Sequence, residues 1–247
     1  MLANTSLALL ALARHGDTPW GAPATQEFVS TFRKGLDFLE SCVDLREDRL
    51  LFRGEEEDTR TFLMAASAVL EVHGLSREKS RHALLEKCVD RLVKDDFPCL
   101  SGEIDETRAD QLRWLVMDLE TARDLHLGSE ALEKRLAQAR TRLVGHENDD
   151  YYGAWLECRR VISEKPDVEA RQYMEDAIST ARIGYGVEVL SEPVKDESGN
   201  LRWAGVVETR AKDERWIKAS GLGEIGDTAL LALRFAWPGS MRARPNE

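Results

Sequence analysis

Apolar residues follow two alternating patterns along this chain. Some segments are apolar on nearly every side: SLALLALA from Ser6, FLMAASAVLEV from Phe62, LRWLVMDLETA from Leu112 and ALLALRFAW from Ala229. Others carry a single apolar stripe at helical spacing, as in Phe28, Phe32, Leu36, Leu39 and Val43, with Arg33, Lys34, Asp37 and Glu40 on the remaining faces. The same stripe recurs as Leu84, Leu85, Cys88, Val89 and Leu92, then as Leu132, Leu136, Ala139 and Leu143, and again as Ala170, Met174, Ala177 and Ala181. A helix apolar all round must be buried, whereas one with a stripe lies half exposed. The alternation therefore predicts helical hairpins, each pairing a buried helix with an amphipathic one and each relying on its neighbours to cover the first.

The starts and stops of these helices repeat as well. Asp58-Thr59, Asp105-Glu106-Thr107 and Asp227-Thr228 stand before three of the apolar segments, and Asp149-Asp150 before YYGAWLECRRVI; Asn4-Thr5 is a neutral version. A carboxylate at such a position accepts from unpaired first-turn amides and offsets the positive end of the helix dipole. ARHG, EVHG and DLHLG, ending at Gly16, Gly74 and Gly128, predict stops, with glycine as the left-handed residue and His15, His73 and His126 against the negative dipole end. This assigns the three histidines a structural role and no metal.

The repeats also account for the cysteines. LESCVD and LEKCVD place Cys42 and Cys88 in equivalent slots, and aligning DRLV at Asp90 with TRLV at Thr141 sets Cys88 opposite Ala139. A slot filled by either Cys or Ala calls for a small buried packing residue. The four cysteines form no C-x-x-C pair, so neither a zinc ribbon nor a disulfide framework is indicated, and no cofactor is implied.

The helical period stops between Gly184 and Gly226. YGVEVL (185–190) and LRWAGVVE (201–208) are rich in strand-forming residues and are joined through the turn sequence DESGN, which predicts a β-hairpin-like insertion. The expected organisation is a single all-α domain over 1–247. It has hairpins at 3–45, 58–94, 105–145 and 149–183, the insertion at 184–226 and a last helix at 227–237.

A net charge of −11 argues against partners rich in phosphate, so no nucleic acid is expected. No apolar run approaches the roughly 20 residues of a membrane span. LALLALAR resembles a short secretion core, but it has no basic residue before it and continues into a helix, which leaves a cytoplasmic protein as the expectation and a secreted one as the lesser alternative.

TSLALLALARHG followed by FRKGLDFLESCV, then DTRTFLMAASAVLEVHGL and GDTALLALRFAW, resembles the repeats of the squalene cyclase and protein prenyltransferase superfamily. The resemblance covers about 3–182 and 222–237. It implies an α/α toroid, with first helices in an inner ring around a cavity and second helices outside; a complete ring in that family uses about six hairpins, so four hairpins and a single helix leave a toroid or an incomplete toroid as the expectation.

The family's alkene-protonating D-x-D-D has its nearest match in ENDD, where Glu147 replaces the first Asp, Asp149 would donate the proton and Asp150 would flank it. An acidic helix cap, the same device seen before the other apolar segments, is the preferred reading of these residues, and catalysis the alternative. The zinc-ligand D-x-C pair, the Q-x-x-x-G-x-W element and the diphosphate-binding D-D-x-x-D are absent from the sequence. Trp114, Tyr151, Tyr152 and Trp155 fall on first helices, where they would line an apolar ligand site or pack in the core. The functional expectation is a non-catalytic binding or scaffold module that holds a protein partner or hydrophobic small molecule. The alternative is an acid-initiated, cyclase-like enzyme acting on an isoprenoid or other hydrophobic substrate.

Overall fold

The computed structural model describes residues 1–15, 26–46, 49–53, 58–76, 82–147, 152, 155–156, 194–195, 201–202 and 229. The described residues are mostly helical. The chain divides into two compact units, one of Met1–Asp149 with Pro238–Glu247 and one of Asp150–Trp237.

In the first unit six α-helices follow one another: α1 (Leu2–His15), α2 (Gln26–Ser41), α3 (Thr59–Ser76), α4 (His82–Lys94), α5 (Glu106–Asp124) and α6 (Glu130–Leu143). The odd-numbered helices pack side by side, α1 on α3 and α3 on α5, while α2, α4 and α6 each lie against the helix that precedes them. Burial follows the two sequence patterns. In α3 every residue from Thr61 to Val72 is buried, and in α5 every residue from Gln111 to Ala122. In α6 only Leu132, Leu136, Ala139 and Leu143 are, a single stripe against α5.

Residues on α3 and α5 meet in the same chain direction. Arg60 pairs with Asp110 at 2.7 Å, and about two turns further along both helices Ser67 meets Asp118. Helices α3 and α5 are therefore parallel, as a succession of hairpins requires.

Several helix ends have an identifiable cause. Asp58 receives the backbone N–H of Arg60 at 3.0 Å and the Thr61 hydroxyl, opening α3. Asp105 receives the N–H of Arg108 at 2.8 Å at the start of α5, and Ser129 that of Leu132 at 3.2 Å at the start of α6. Helix α1 already begins at Leu2, so Asn4-Thr5 lies inside its first turn and does not precede it. Helix α3 runs through Gly74 to Ser76.

At the end of α5 the left-handed residue is His126, with φ of 58°, two positions before the expected Gly128. Leu127 N–H reaches Ala122 O at 3.0 Å and His126 N–H reaches Arg123 O at 3.0 Å, the paired bonds of a Schellman closure.

The largest departure from the sequence pattern follows α2. Val43 continues the helical stripe on paper, yet α2 stops at Ser41 and Val43–Arg46 forms β1, paired antiparallel with β2 (Arg49–Phe52). Val43 faces Phe52 and Leu45 faces Leu50 in this hairpin, and the alternate residues Leu50 and Phe52 are buried. Phe52 continues into an aromatic column, 6.1 Å from Phe62, which stacks on Phe97 at 5.8 Å. Burying those rings and satisfying the strand's backbone outweighs one more turn of helix.

Helix α2 approaches α1 closely at Gly35, where a Cβ would stand 3.0 Å from Cδ2 of Leu9.

In the second unit Val194–Lys195 (β3) pairs antiparallel with Leu201–Arg202 (β4) across the DESGN turn sequence, within the expected insertion. The 185–190 strand, most of the fourth hairpin and most of the last helix lie outside the described residues.

Candidate functional site

The slot shared by Cys88 and Ala139 is buried in both helices, with Leu85 and Leu136 before it and Leu92 and Leu143 after it also buried. Cys42 is buried too, but it sits just past the end of α2, whereas Cys88 is in the middle of α4. Two segments that agree at five of six positions thus occupy a helix end in one hairpin and a helix interior in the next. Cys42, Cys88 and Cys99 are free thiols, and among the described residues no cluster of three His, Cys, Asp or Glu side chains could hold a metal. Burial pushes the Cys99 thiol up to about 11, partly opposed by a backbone hydrogen bond and by Arg142, Arg135 and Arg108.

Of the residues proposed for catalysis, Glu147 is exposed, and its Oε2 accepts the backbone N–H of Gly145 at 2.8 Å. It holds the turn that follows α6. Asp149, Asp150 and Tyr151 lie outside the described residues. Among the aromatic candidates, Trp114 is buried on α5, and Tyr152 and Trp155 are both buried with their rings stacked at 5.7 Å and 22°.

Polar groups that the sequence reading passed over occupy the buried helices. Ser67 on α3 donates its hydroxyl to Oδ1 of Asp118 on α5, and Glu71 is buried on α3 one turn beyond Ser67. Glu120 on α5 is buried between the guanidinium groups of Arg123 and Arg140, the latter on α6. The signal was present: carboxylates inside FLMAASAVLEV and WLVMDLE interrupt otherwise apolar runs. A charge is retained in such a place only when it is paired or hydrogen-bonded.

Arginines act as fasteners between consecutive pieces. Arg135 on α6 donates from Nε to Val93 O at 2.8 Å and from a terminal nitrogen to Asp95 O at 3.1 Å, closing the C-terminal end of α4. Arg142 donates to Cys99 O at 3.2 Å and Gly102 O at 2.6 Å, holding the 3₁₀ turn Pro98–Leu100. Arg113 grips His146 O with two nitrogens, at 3.0 and 2.9 Å. Arg91 spans from Leu50 O at 3.0 Å to Asp95 at 2.8 Å and lies 3.7 Å over the Phe62 ring, fixing the β1–β2 hairpin to the helices. A planar fork with several donors suits this work, because one side chain can satisfy carbonyls that a helix end leaves open.

Comparison with family models, with curated proteins and with solved structures gives no match. Among the described residues no helix is long and apolar enough to cross a membrane.

Proposed function

We propose that the chain is a non-catalytic binding or scaffold module. In this reading its helical hairpins form a complete or incomplete α/α toroid like those of the squalene cyclase and prenyltransferase superfamily, and the inner face holds a protein partner or an apolar ligand. One observation carries the reading: charged side chains on the inner helices are engaged with other parts of the fold. Asp118 accepts from Ser67, Arg60 pairs with Asp110, and Glu120 sits between two arginines. Groups committed in this way hold helices together and are poorly placed to donate protons to a substrate. Glu147, at an exposed turn where its carboxylate accepts the Gly145 N–H, is likewise poorly placed for acid catalysis, since a carbocation must be shielded from water.

Incubation of the full chain with farnesyl diphosphate and with squalene, followed by mass spectrometry of the organic extract, tests this. No cyclised or hydrolysed product is expected. Titration calorimetry with farnesol tests the apolar-ligand form of the proposal directly. Turnover by the wild type that disappears in Asp149→Asn would replace it with the acid-initiated enzyme.

A further inference from the structure

We draw no further inference here: the strongest candidate, the buried side-chain cluster of Ser67, Glu71 and Asp118 on the inner helices α3 and α5, belongs to the helix-to-helix contact already described and has beside it no second observation that points to a ligand.

Discussion

The Ser67 hydroxyl and the Asp118 carboxylate meet across 51 positions of chain, both fully enclosed, and with Arg60–Asp110 they fix the register of α3 against α5. A hydrogen bond to a charged acceptor in such surroundings is worth about 1.5–3 kcal/mol. In a double-mutant cycle with Ser67→Ala and Asp118→Ala, urea unfolding should give a coupling energy of that size. The Asp118 variant should lose more than the Ser67 variant, because the carboxylate has further interactions. Additivity within about 0.5 kcal/mol would show that the contact sets no register.

Removing Arg135 should loosen the end of a helix other than its own. Arg135→Ala leaves the carbonyls of Val93 and Asp95 without their guanidinium donor and is expected to cost about 1–3 kcal/mol. Amide exchange should speed up most in the last turn of α4. Arg135→Lys should recover little, since an ammonium lacks the fork that reaches both oxygens.

His126→Gly should stabilise the protein by about 1 kcal/mol, because a side chain at φ 58° is strained and glycine is not. Gly128→Ala should be neutral or slightly stabilising, as nothing lies within 4 Å of a Cβ there. Had Gly128 been the closing residue, both substitutions would destabilise, so a pair of thermal unfolding curves separates the cases.

Cys99 makes stability fall in alkali. Its thiol is neutral in the folded protein up to about 11, whereas the unfolded chain releases the proton near 9.0. This contribution is fully present below 9.0 and is lost as pH rises towards 11, reaching about 2–3 kcal/mol at most. Unfolding measured between those limits should fall more steeply for the wild type than for Cys99→Ala. Parallel curves would remove Cys99 as a cause.

What could be read from the chain was whatever local periodicity controls. The apolar runs of α3 and α5 and the stripe of α6 translate directly into burial, and Asp58 and Asp105 sit at the helix starts where their spacing placed them. Val43 misled because a residue four positions after Leu39 satisfies a helical stripe and a strand start alike; the decision fell to Phe52, whose ring packs near Phe62. No Asn-Gly or Gly-rich turn announced that hairpin, only Glu47-Asp48. His126 misled because glycine two residues later is the commoner left-handed residue. For the candidate site, composition showed acidic residues in plenty without showing which were enclosed; Asp118 and Glu120 gain their significance from Ser67 and Arg140, which are distant in sequence.

Because α3 and α5 run in the same direction, their amide-rich ends lie at one pole of the first unit and would repel one another as aligned dipoles. Asp58 and Asp105 bring a negative charge to that pole with each helix. Each of these two helices thus arrives with its own compensation, and a duplication adding another such helix with its carboxylate would extend the pair without building up an opposing field.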